Sequence, residues 1–213
     1  MSDDRLRAAE RRYRETGSLE DEAAWLTLRL RSGALPLEVL ELAGYADHPA
    51  ACAVLAREAP YPRATALNRD LVALADSRRS HLREQLERWP RRLALGFALA
   101  LLGAYWEQAP DLEEQRWWGL LWEAVQGMTP ELEGQLLAHE QGAAASWSLL
   151  EETLHTSRAL RLGQRERLCP GLVMTCQRVT QRVGTVEPRR AALRWALHLL
   201  EAPDSTQRPD RVR

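Results

Sequence analysis

Apolar residues return every three or four positions along most of this chain, and nowhere do they fall into the two-residue alternation of a strand. After Ser18 the run Ala23, Ala24, Leu26, Leu28 and Leu30 predicts a helix. Ser18 stands three residues before Asp21, as in a capping box, and Gly33 sits where a helix closes on a left-handed glycine. Pro36 takes the first-turn position of a second helix over 36–45, with Leu37, Leu40 and Leu42 apolar. His48–Pro49 opens a third over 49–58, stopped by Pro60 and Pro62.

Leu67, Leu71 and Leu74, then Leu82, Leu86 and Trp89, predict helical structure over 64–89, with the polar run from Ser77 to Ser80 as a candidate break. Pro90 starts an apolar helix ending near Gln108, and Pro110 starts another that carries Trp118, Leu121, Trp122 and Val125. Thr129–Pro130 is a cap and first-turn pair for a helix to about Gln141; 142–157 either continues it or begins anew. Cys169–Pro170–Gly171 reads as a break, followed by helices over 171–183 and 188–201, and 204–213 as a solvated tail. Prolines 90, 110 and 130 recur at the interval of one helix plus a turn, which is punctuation and not a sequence repeat.

The expected fold is all-α, with about nine helices in stacked helical hairpins resembling a short HEAT/armadillo-like solenoid. Its expected organisation is an N-terminal three-helix module over 1–62, a helical-hairpin domain over 63–203 packed against it, and a flexible tail over 204–213. Leu93 to Trp106 is the longest uncharged stretch; it is too short to cross a bilayer and reads as a buried core helix. Within it Gly96, Ala100 and Gly103 share one face, a stripe that suits close intramolecular packing or, as the alternative, a homodimer seam.

Charge changes the picture from fold to function. From Glu107 to Glu152 ten acids face one arginine, a net of −9, and from Arg158 to Arg194 nine arginines face two acids, a net of +7. The whole chain carries only −1, so its charge is segregated. Segregated charge steers association and sets register between surfaces. A balanced total argues against sequence-independent nucleic-acid binding by the whole chain. All 29 basic residues are arginine, and isoleucine is absent; a GC-rich coding sequence yields that bias without functional demand. Three cysteines in no framework spacing, and a charged start without an apolar segment, point to a reducing cytoplasm.

Residues 20–55 include Trp25, Leu26, Arg29, Arg31, Gly33, Leu40, Leu42, Ala43, Tyr45, His48 and Pro49. This pattern resembles a short helical leader module that opens many uncharacterised proteins of high-GC bacteria. The resemblance covers about a sixth of the chain and implies a helix-turn-helix-turn-helix packing unit, with no activity or ligand attached. Some proteins with similar leaders have a helical remainder resembling bacterial immunity proteins; the matching residues stop near Leu55.

Chemistry-bearing constellations are thin. The five histidines are dispersed, and His139–Glu140 lacks a second histidine four residues on. Cys169 and Cys176 are spaced too widely for a usual zinc pair, even with His198 added. No glycine-flanked nucleophile or phosphate-cradling loop occurs, and the lack of lysine excludes a P-loop or Schiff-base enzyme. Neither catalysis, a metal nor a cofactor is therefore expected. The expected role is a cytoplasmic adaptor or scaffold that binds a protein partner. One surface would use Trp117, Trp118 and Trp122 with Glu113 and Glu114, since an indole beside acids suits a basic, apolar partner. Another would use Arg178, Arg182, Arg189 and Arg190. The alternative role is an immunity or antitoxin protein that neutralises a cognate toxin.

Overall fold

The computed structural model describes residues 3–58, 67–78, 80–106, 119–124, 129–142 and 165–201. Among them every regular element is helical: α1 (Asp3–Thr16), α2 (Leu19–Ser32), α3 (Leu37–Tyr45), α4 (Pro49–Glu58), α5 (Leu67–Ala75), α6 (Leu82–Arg88), α7 (Arg91–Trp106), α8 (Pro130–Gly142), α9 (Arg165–Val183) and α10 (Val186–Glu201), with a further helical stretch over 119–124. The protein is thus all-α, built of stacked helices. No helix among the described residues is long and apolar enough to cross a membrane.

The chain divides into two compact units. The first holds α1 to α4 together with α10 from Ala196 onward; the second runs from Asn68 in α5 through α10 to Trp195. In the first unit α2 packs on α1 and α4, and α3 on α4. Helix α1, over the charged start of the chain, adds to the three helices expected there. It closes on Gly17 at φ +59, whose N–H reaches the Tyr13 carbonyl at 2.8 Å. Ser18 then caps α2: the Asp21 N–H donates to Ser18 Oγ at 3.1 Å, and the Ser18 hydroxyl returns a bond to Asp21 Oδ2 at 2.9 Å. At its other end Gly33 adopts φ +75 and the Ala34 N–H bonds the Arg29 carbonyl at 2.9 Å, a Schellman closure. Pro36 is the N-cap of α3, one residue outside the first-turn position expected. Gly44 lets α4 approach, since a Cβ there would meet Leu55 Cδ1 at 2.5 Å.

In the second unit α9 packs on α7 and α6. The expected break after α5 is present: Ser77 takes φ +55, which no α-helix accommodates, and α6 starts at Leu82. Buried Asp70 bridges it by accepting the His81 N–H at 2.8 Å. Helix α7 is buried from Leu93 to Ala104. That is why its sequence is apolar all round instead of amphipathic. Gly96 lies under Trp195, whose ring is packed edge-on by Trp122 with centroids 5.0 Å apart, so this part of the small-residue stripe serves packing within the chain. Trp89 meets Phe97 in the same edge-on manner at 5.4 Å. Thr129 caps α8 as expected, its Oγ1 accepting the Leu132 N–H at 3.2 Å.

One expected break is absent. Helix α9 runs without interruption through Cys169–Pro170–Gly171. Pro170 lies in the second turn, where it forfeits the bond to the residue 166 carbonyl and its ring crowds that carbonyl, a cost of about 3 kcal/mol that the rest of the helix must offset. The N-terminal half of α10 likewise takes Pro188 into its first turn.

Candidate functional site

The surfaces expected from sequence fare differently. Trp117, Trp118, Glu113 and Glu114 lie outside the described residues. Trp122 is described, and it corrects the expectation: at 2% exposure, with Leu120, Leu121 and Ala124 buried around it, its ring fills the second unit's core against Trp195. Burial of that much apolar area outweighs display of an indole at a surface. Arg178, Arg182, Arg189 and Arg190 are all exposed, on the two helices that meet at Gly184. Gly184 closes α9 at φ +78, its N–H bonding the Thr180 carbonyl at 2.9 Å. Arg190 pairs with Glu187 at 2.7 Å. Of the acids opposing them in charge, Glu123, Glu131 and Glu133 have described side chains, and the other seven do not.

A second constellation, not anticipated from the sequence, joins buried His48 to half-buried Glu22 and Tyr13 in the first unit. His48 stands before α4 and caps it: the Ala51 N–H donates to His48 Nδ1 at 3.3 Å. Its other nitrogen, Nε2, lies 3.3 Å from Glu22 Oε1 on α2. Burial pushes the His48 imidazole below its usual pKa, with the Glu22 charge opposing. Burial also raises the Tyr13 phenol, aided by Glu22 and Glu201. One imidazole nitrogen thus faces a helix start and the other a carboxylate. The arrangement brings α1, α2 and the start of α4 together.

Tyr13 stacks on Trp25 with ring centroids 5.3 Å apart, and the Arg29 guanidinium lies 4.8 Å from the Trp25 ring. Arg29 is 7% exposed and donates to the carbonyls of Leu200 and, at 3.4 Å, Ala34. A cation at the Leu200 carbonyl, in the last turn of α10, satisfies an orphan acceptor and complements the helix dipole. This contact explains why the end of α10 belongs to the first unit. The signal for it was present: Arg29 falls in phase with Trp25 and Leu26 on the apolar side of α2, where a charge must find a partner.

Among the described residues no three His, Cys, Asp or Glu side chains gather as a metal site. Cys176 is fully buried, which pushes its thiol up to about 12, so it is no nucleophile. Cys52 is exposed, and its thiol is also raised, by burial of part of the group and by Asp47. No family model matches the chain, and neither a curated protein nor a solved structure matches it at a significant level.

Proposed function

We propose that the protein is a non-enzymatic, cytoplasmic interaction module, an adaptor or scaffold that binds a protein partner through its arginine-bearing helices. The observation that carries this reading is the outward placement of Arg178, Arg182, Arg189 and Arg190 on consecutive helices while Trp25, Trp89, Trp122 and Trp195 go to the core. Exposed charge steers encounter and sets orientation, whereas the His48 imidazole, buried against Glu22 and the start of α4, supports the packing of the first unit. The test is affinity purification from native cells, read by mass spectrometry, with the wild-type chain and with Arg178→Glu/Arg189→Glu. Partner capture weakens in the variant and loses its salt dependence; an unchanged capture profile refutes the reading.

The acidic, tryptophan-rich stretch 107–152 favours a second reading, an immunity or antitoxin protein that masks a basic cleft of a toxin. Protection of cells from the product of a neighbouring toxin gene tests it, and failure to protect removes it.

A further inference from the structure

We infer that the start of α4 is an acid-released latch: protonation of His48 frees the first turn of the helix while the charged imidazole stays bound to Glu22 of α2. The latch is independent of the interaction-module reading, since it uses none of the arginines of α9 and α10.

Helix α4 opens on Pro49, which has no N–H, so Ala50 and Ala51 carry its first backbone donors. Both residues are buried. The Ala51 N–H finds its acceptor in His48 Nδ1 at 3.3 Å, and the His48 carbonyl takes the Cys52 N–H at 3.0 Å. His48 is buried as well. A donor this far from solvent has no ready substitute for its acceptor.

An imidazole that takes up a proton donates from both nitrogens and accepts at neither. Nδ1 then sets a donor against the Ala51 N–H, and the positive end of the helix opposes the new charge. Nε2 meets the reverse situation. It lies 3.3 Å from Glu22 Oε1, where a charged imidazole gains a charge-assisted hydrogen bond. The two sides of one ring therefore respond oppositely: the cap is lost and the bridge to α2 tightens.

Among the described residues the charge that acts on His48 is that of Glu22, and burial outweighs it, holding the imidazole below its ordinary value. Helix α1 adds Tyr13 beside Glu22. Burial raises that phenol, as do the charges of Glu22 and of Glu201 in α10, so it stays neutral where His48 titrates. Asp47, in the turn from α3, acts on the Cys52 thiol of α4, which burial raises further, so that group stays neutral too.

The experiment uses the full chain, isotope-labelled, and reads amide hydrogen exchange by nuclear magnetic resonance. Protection factors remove the intrinsic pH dependence of exchange. Between about pH 7.5 and about pH 5, protection at Ala51 falls roughly tenfold or more, and about fivefold more than protection at Leu26 in the middle of α2. The His48 ring nitrogens titrate with the same midpoint. His48→Asn supplies a cap that does not titrate, and its Ala51 protection changes by less than about threefold over that range. Glu22→Gln removes the anion that holds the charged imidazole and moves the midpoint down by roughly half a pH unit or more. Circular dichroism verifies that each variant is folded. The latch is overturned if wild-type Ala51 protection is independent of pH, if Leu26 loses protection equally, or if His48→Asn responds as the wild type does. Should that variant fail to fold, unequal midpoints for the wild-type ring and the Ala51 amide overturn it instead. An unmoved midpoint in Glu22→Gln overturns the retained bridge.

Discussion

Gly96→Ala is the sharpest test of how the second unit is packed. A Cβ at this position falls 2.5 Å from Trp195 Cζ2, 2.9 Å from Cε2 and 3.2 Å from Nε1. Carbon atoms in contact lie about 3.5–4.0 Å apart, so the indole must retreat by about 1 Å. It has little room to do so, being 1% exposed and held edge-on by Trp122. Overpacking of this kind costs about 1–3 kcal/mol, while replacing a mid-helix glycine with alanine returns about 1 kcal/mol through backbone entropy. The two effects oppose, so a control is needed to separate them. Gly134 in α8 supplies it, because a Cβ there meets nothing within 4 Å. Urea unfolding followed by far-ultraviolet circular dichroism should show Gly134→Ala as neutral or stabilising. Gly96→Ala should be less stable than that control by about 1–3 kcal/mol, the steric part alone. In a Trp195→Leu background, which removes the ring, the Gly96→Ala penalty should vanish. If Gly96→Ala and Gly134→Ala are equally stable, the close approach of α7 to Trp195 is not what requires glycine at 96.

His48 is held neutral, with its pKa lowered below the ordinary 6.5, so its contribution to stability is complete above pH 6.5 and fades as pH falls through 6.5 toward the folded value. His48→Asn keeps a capping acceptor without the titration; unfolding free energies measured across pH 5–8 should fall more steeply on acidification for wild type, and parallel curves would refute the assignment. Arg29→Met removes the guanidinium from the Leu200 carbonyl and from Trp25. It should cost about 2–3 kcal/mol by urea titration, whereas a loss under about 0.5 kcal/mol would show the contact to be idle. Alkylation of the native protein, mapped by mass spectrometry, should label Cys52 slowly and spare Cys176 until unfolding, and rapid labelling of Cys176 would contradict its burial.

Local chemistry made much of the fold legible. Ser18, Gly33 and Thr129 mark helix ends because caps satisfy backbone groups within a few residues, and that demand is written in neighbouring side chains. The all-round apolar composition of 93–104 announced a buried helix for a similar reason, since no polar face is retained where there is no solvent. Pro170 shows where local reading stops: a break was expected, because an interior proline loses a hydrogen bond and crowds the carbonyl four residues back, yet α9 continues through it and packs against α6 and α7.

What the chain order could not disclose was which distant groups meet. Segregated charge and the exposed character of Arg178 and Arg182 follow from the sequence, because a solvated helical face needs no partner to be recognised. The fate of Trp122 does not, since an indole suits a surface or a core and only its approach to Trp195, 73 residues on, settles the choice. Likewise Glu22 with His48, Arg29 with Leu200, and Ser77 with Gln177 and Gln181 are contacts between different segments of the chain. Their energies depend on separations of a few ångströms set by the packing of whole helices, a quantity that periodicity along a chain does not contain.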